Sequence, residues 1–384
     1  MKKLGLLFFG FAVLLAGCGE EASLSTQSAP GFDLAWDPAV PMSRQKVEFQ
    51  LQGSNLPVFD HCRVSLGVEG IPAQEFDCHG QFDLVFPATG EFEVRVLLVQ
   101  GIKVVGEARG KIEVEECDPN QTAPAGWFLG AGGCFYDPNQ TPIEEVPPVM
   151  PWRLGPLNEP VWFINGFANY SGNAFLEMGL MADGMRAPVV GIYNDVGSLL
   201  LKEQGRVSGL NSHVAGLVRQ RLAEGGQVTL HGTSIGAQTV SQVISTLSQT
   251  LSPSELAQIR AQTSAGAQTV FPSGPQYVHY AHELDPIPSL LGVFSQDAEP
   301  GAGALIATFA DATSPTCADY RQSYAEGEWL LAEPSRYPGT VGAFDLTMHD
   351  GCRYGAHFLP FDTVRRCAGA GQVALDRAPA CLEP

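Results

Sequence analysis

The sequence predicts an α/β protein, a mostly parallel sheet with helices on both faces, preceded by a small antiparallel β-sandwich. Three observations predict it. Between residues 32 and 116, Val47, Phe49 and Leu51, then Phe92, Val94, Val96 and Leu98, then Ile112 and Val114 alternate with polar residues. That is the period of a strand with one face in a core and one in water. From residue 158 onward, short apolar runs alternate with stretches of helical spacing, the pattern of a parallel sheet with crossover helices. Within that second part, a serine flanked by glycines stands where an apolar run gives way to a helix-forming stretch.

Taken in order, the first 18 residues read as an address. Lys2 and Lys3 precede an apolar run over 4–15 that is too short to span a bilayer. It ends in Leu15-Ala16-Gly17-Cys18, which resembles the lipobox of bacterial lipoproteins. The resemblance implies cleavage before Cys18, lipidation of that thiol and attachment to the cell envelope. Gly19, in place of Asp, points to the outer membrane. Residues 19–31 are small and polar and suit a flexible tether. Residues 32–116 form the expected sandwich, with turn signals at Gly53-Ser54-Asn55 and Thr89-Gly90. The stretch 86–99 loosely resembles immunoglobulin-like and PKD-like modules, which names a shape and suggests a spacer. Residues 117–157 read as a stapled, proline-rich linker in which DPNQT occurs at 118–122 and again at 137–141. Both copies offer Asp-Pro turns and lack the oxygen density of a calcium loop. The remaining domain, 158–384, is expected to hold strands at 161–164, 189–193, 228–230, near 277–280 and at 305–309. Helices are expected at 174–186, 210–222 and 237–247.

A formal charge of −19 argues against nucleic acid as a partner, because an acidic surface repels phosphates. Of nine cysteines, eight remain after Cys18 is set aside. An even number in an exported chain reads as disulfides. Proximity along the chain suggests Cys62–Cys78, Cys117–Cys134, Cys317–Cys352 and Cys367–Cys381. No CxxC pair occurs, so a zinc site is not expected. No cofactor is expected for the chemistry either.

The chemistry is expected at Gly232-Thr233-Ser234-Ile235-Gly236. A serine presented at a sharp strand-to-helix turn needs small flanking residues, and the following helix aims its amides at charge forming beside it. A serine hydroxyl also needs a base, and the base needs an acid to orient it. Asp285 is the candidate acid, since it follows a strand and precedes Pro286. Glu283, two residues earlier, should still lie in the strand. Beyond Asp285 only His349 and His357 remain as bases, and His349 is preferred. His279 and His282 read as strand residues, and His231 as an orienting or packing residue. The amide of Ile235 is one candidate oxyanion donor. The turn at Asn165-Gly166 positions Phe167 as the other.

In order along the chain stand FINGFANYSGNAF (163–175), GIYND (191–195), LHGTSIGA (230–237), HELDPIPSLLG (282–292) and HDGCRY (349–354). Together they resemble α/β-hydrolases related to lipases and to bacterial hydrolases with an N-G-[IF]-x-N oxyanion loop. His349 and Tyr354 match a His-x4-Tyr base segment of those relatives. The resemblance implies an α/β-hydrolase fold over roughly 158–365 and hydrolysis of carboxylic esters, lipid esters among them, by Ser234, Asp285 and His349. Two departures bear on substrate. Thr233 stands where lipases often carry His, and the long stretch 312–342 leaves room for a lid or extra loop. A second reading stays open: a non-catalytic envelope-binding lipoprotein with a hydrolase-like fold.

Overall fold

The structure is a computed structural model. It describes residues 25–29, 32–53, 56–68, 71–166, 170–194, 208–310, 315–325, 346–355, 357–367 and 371–375. The expected leader, Cys18, most of the tether, Phe167, the expected lid stretch apart from 315–325, and Cys381 lie outside them.

The first part consists of two antiparallel sheets. One joins β1 (Ser25–Ala29), β2 (Phe32–Asp37), β3 (Lys46–Gln52) and β6 (Gln81–Val85) in the order β1-β2-β3-β6. The other joins β4 (His61–Ser65), β5 (Gln74–Phe76), β7 (Gly90–Gln100) and β8 (Lys103–Val114) in the order β5-β4-β7-β8. Both sheets feed one core. Leu34, Val47 and Phe49 from the first meet Val64, Val94, Val96 and Leu98 from the second. The expected alternation is what puts these side chains there. The outward face of the second sheet carries ion pairs such as Arg63–Glu75 and Arg95–Glu107, too exposed to contribute much stability. Cys62–Cys78 closes a loop across the same sheet.

The segment 117–157 is not a free linker. Cys117–Cys134 staples it as expected. It also supplies β9 (Phe128–Leu129) and β10 (Phe135–Tyr136), which add an antiparallel hairpin to the edge of the second part's sheet. Trp152 reaches into the core shared by the two antiparallel sheets, and Val149 bridges to Val189. Each DPNQT copy makes the same turn, with the Asp118 and Asp137 carboxylates accepting the amides of Asn120 and Asn139. The two strands escape a sequence reading because each is only two residues long.

The second part is built on a nine-stranded sheet in the order β10-β9-β12-β11-β13-β14-β15-β16-β17. Its parallel strands are β11 (Val161–Ile164), β12 (Val189–Ile192), β13 (Val228–Thr233), β14 (Ile259–Ser264), β15 (Gln276–His282), β16 (Leu305–Phe309) and β17 (Gln372–Ala374). The chain passes from β11 to β12 on one side and then returns to β13 on the other. This switch opens a crevice at the carboxyl ends of β11 and β13. Helices cover both faces, as expected. α1 (Ser171–Met185) buries Phe175, Met178, Met181 and Met185 on one face. α2 (Ser208–Ala223) and α3 (Gly236–Ser248) bury Val214, Val218, Val240, Val243 and Leu247 on the other. Among the described residues no helix is long and apolar enough to cross a membrane.

The two parts are joined by a buried ion pair. Arg44, between β2 and β3, sends Nη1 to both Asp183 oxygens on α1 at 2.8 and 2.9 Å. Asp183 also accepts the amide of Trp152 at 2.9 Å. The two side chains are 6% and 19% exposed, so removing Asp183 takes from a largely dry Arg44 guanidinium the carboxylate it is hydrogen-bonded to. Asp183→Ala should therefore destabilise the protein by about 3 kcal/mol. Asp83→Ala, which removes the partner of exposed Lys46, should cost under about 1 kcal/mol. Thermal unfolding of the two variants checks this, and equal small losses would contradict it.

Candidate active site

β13 ends at Thr233, α3 begins at Gly236, and Ser234 stands between them. Its φ is +54°, a left-handed value that a non-glycine residue adopts only under constraint. The constraint is backbone hydrogen bonding. The Ser234 amide donates to the Ser264 carbonyl at 2.9 Å, and its carbonyl accepts from Ala237 and Ala267, each at 3.1 Å. Ala265, between the two clasping residues, is itself left-handed at +50°. Gly236 is required by a close approach, since a Cβ there would strike the Ile164 carbonyl oxygen. Gly166 lies against the nucleophile candidate: a Cβ on it would sit 2.9 Å from the Ser234 Cβ.

The three candidates meet at this edge. His349 Nε2 is 2.8 Å from Ser234 Oγ, and His349 Nδ1 is 3.0 Å from Asp285 Oδ2. The short α4 (Pro253–Leu256) is followed along the chain by α5 (Pro286–Leu291), which Asp285 caps by accepting the Ile287 amide at 2.9 Å. Its second oxygen also accepts the Tyr354 hydroxyl at 2.7 Å. Burial, reinforced by the Asp285 charge, pushes the Tyr354 phenol well above its ordinary pKa, so it remains a donor. With Nδ1–H donated to Asp285, the Nε2 lone pair faces the serine hydroxyl and can take its proton. His357 is placed elsewhere, stacked on the Phe309 ring. Glu283 differs from expectation, because β15 ends at His282 and Glu283 lies in an exposed turn.

Surrounding elements hold the candidates in place. Cys317–Cys352 ties α6 (Cys317–Ala325) to α7 (Gly351–Gly355), directly after His349. The amides of Cys317 and Cys352 both donate to Asp350, each at 3.0 Å. Cys317, Asp350 and Cys352 come together with metal-ligand spacing, but their two sulfurs are bonded to each other and leave no thiolate for an ion. On the crevice side, Asn165 Nδ2 donates to the Asn194 carbonyl at 3.0 Å, and its Oδ1 accepts the Asn194 amide at 2.7 Å. This locks together the loops that follow β11 and β12. Ile235 opens α3 beside Ser234, and Phe167 lies outside the described residues.

Beneath the elbow runs a buried polar chain that the sequence reading missed. Thr233 Oγ1 and His231 Nε2 each lie 2.8 Å from Ser264 Oγ. In the next strand pair, His279 bridges Thr263 Oγ1 and the Pro300 carbonyl, both at 2.8 Å. Burial pushes His231 down to about 3 and His279 to about 4. Both rings are therefore neutral in the fold, as strand and packing residues should be.

The sequence matches no family model and no curated protein. Among solved structures it overlaps lipase B of Aspergillus fumigatus at 12% identity and a TM-score of 0.31, over 52% of this chain and 62% of that one. It overlaps the RedJ thioesterase of the Streptomyces coelicolor prodiginine pathway at 10% identity and 0.29, over 47% and 91%. It overlaps a lidless α/β serine hydrolase of Xanthomonas campestris at 15% identity and 0.28, over 48% and 88%. The chain thus spans less than two thirds of the fungal lipase, and overlaps this slight assign nothing by themselves.

The buried histidines carry a pH dependence. A depressed folded pKa means that the unfolded chain binds more protons between about pH 6.5 and the folded value. Stability from this source is full above that window and is lost as pH falls through it. The thermal midpoint of His279→Gln should decline less than that of the parent between about pH 6.5 and pH 4. Parallel declines would contradict the assignment. The mostly parallel sheet, the strand–elbow–helix turn at Ser234 and the chain order Ser234, Asp285, His349 are together those of the α/β-hydrolase fold.

Proposed function

We propose that the protein is a serine hydrolase that cleaves carboxylic esters through an acyl-enzyme. The observation that carries the reading is the single imidazole of His349, hydrogen-bonded to Ser234 on one nitrogen and to buried Asp285 on the other. As His349 Nε2 takes the hydroxyl proton, Ser234 Oγ attacks the ester carbonyl. The tetrahedral oxyanion is held by the amides of Ile235 and Phe167. Collapse breaks the bond to the alcohol, which leaves with the proton from Nε2. Water then repeats the attack on the acyl-serine, releasing the acid and restoring the hydroxyl. Asp285 fixes the tautomer and stabilises the imidazolium. Tyr354 and the Ile287 amide hold that carboxylate in place.

Lipid on Cys18 would hold the enzyme at the bacterial cell envelope, in the outer membrane, with the antiparallel β-domain as an immunoglobulin-like spacer. Ester or lipid substrates are then the partners, and no cofactor enters the chemistry.

A fluorophosphonate probe tests the reading, because it reacts only with an activated serine. The wild-type chain should label at one residue, Ser234. Ser234→Ala should not label, and His349→Ala should lose about 10⁴-fold or more in labelling rate. Absence of labelling in the wild type would favour a non-catalytic binding lipoprotein.

A further inference from the structure

A cavity of about 300 Å³ lies where the antiparallel β-domain meets α1. That is the volume at which small-molecule sites begin. None of Ser234, Asp285 and His349 lines it. Its buried lining is apolar: Ala88, between β6 and β7, then Phe175 and Leu176 of α1, with Gly132 and Gly133 of the stapled segment. A Cβ on Gly133 would touch the Phe175 side chain at 3.6 Å, so the glycine leaves that side of the cavity open.

Two exposed residues of the lining carry opposite charges. Glu116 follows β8 and belongs to the β-domain side. Arg321 stands on α6, on the side of the larger sheet. Because both are open to solvent while the apolar lining is buried, they form part of the rim. They are not bonded to each other. Glu116 accepts the Ser43 hydroxyl at 2.7 Å, and the cation that acts on it is Arg44, not Arg321. Arg44 is itself held by Asp183. Desolvation pushes the Glu116 carboxyl pKa up, against the Ser43 hydrogen bond and the Arg44 charge. A cation brought beside Glu116 would offset that cost.

An apolar interior takes hydrocarbon out of water, and the rim sets the charges of the head group. A plain carboxylate there meets the like charge of Glu116, and a plain amine meets that of Arg321. A head that carries both signs satisfies both sides. We propose that this cavity binds a free apolar α-amino acid, with its side chain against Phe175 and Leu176, its ammonium at Glu116 and its carboxylate at Arg321. The site needs no part of the Ser234 machinery and stands whether or not the chain hydrolyses esters.

Titration calorimetry on the full chain tests this with three probes of one shape: L-phenylalanine, 3-phenylpropanoate, which lacks the ammonium, and 2-phenylethylamine, which lacks the carboxylate. L-Phenylalanine should bind saturably, with a Kd of about 1 mM or below. Each of the other two should bind about fivefold more weakly, the scale of a solvent-exposed charge pair. Glu116→Gln keeps an acceptor for Ser43 and should remove the advantage of L-phenylalanine over 3-phenylpropanoate. Arg321→Gln, at an exposed position, should remove its advantage over 2-phenylethylamine. No saturable binding of L-phenylalanine would overturn the proposal. So would either analogue binding as tightly as L-phenylalanine to the wild-type chain, or unchanged preferences in both variants. The wild-type series decides the matter even if a variant fails to fold.

Discussion

The left-handed backbone at Ser234 is the constraint on which the rest of the site depends. A non-glycine residue there costs about 1–3 kcal/mol and persists only where its surroundings over-determine it. Here the amide and carbonyl of Ser234 are both clasped by the turn that follows β14, while Ala237 anchors the start of α3. The Ser264 hydroxyl is in turn fixed between Thr233 and His231. The serine oxygen is thereby pointed out of the sheet edge, where an imidazole can reach it. Without that geometry, the Asp285–His349 pair would orient a base towards nothing.

The same edge gathers contributions from distant parts of the chain because the sheet turns at β11. Strands on either side send their following loops apart, and the crevice between them receives Gly166, Ser234 and the His349 segment. α1 spans several roles at once. One face fills the core under the sheet, Asp183 anchors the antiparallel β-domain through Arg44, and Asn173 and Glu177 face the serine.

Much of this was legible in the sequence where the determinants are local. The glycine requirement of the elbow, the apolar runs of the buried parallel strands and the proline after Asp285 are each set by neighbours in the chain. Three of the expected cysteine pairs, Cys62–Cys78, Cys117–Cys134 and Cys317–Cys352, are formed, as short separations favour. β14 was not legible, because Arg260, Gln262, Thr263 and Ser264 make a polar strand. Its burial is explained only by partners on other strands, His231, Thr233 and His279. The hairpin of β9 and β10 was hidden for a related reason: its pairing with β12 is a tertiary fact with no periodicity to announce it. Asn173 and Glu177 read as ordinary positions of a helix until Gly351 and Ser234 are brought beside them.

The proposed hydrolysis requires Ser234 to become covalently acylated with His349 as its base. The most direct measurement is mass spectrometry of the chain acid-quenched during turnover of p-nitrophenyl acetate. An acetyl group on the peptide carrying Ser234, absent in the Ser234→Ala and His349→Ala variants, is the expected result. Turnover without any acyl-serine, or an acetyl group on Ser234 that accumulates equally in His349→Ala, would contradict it.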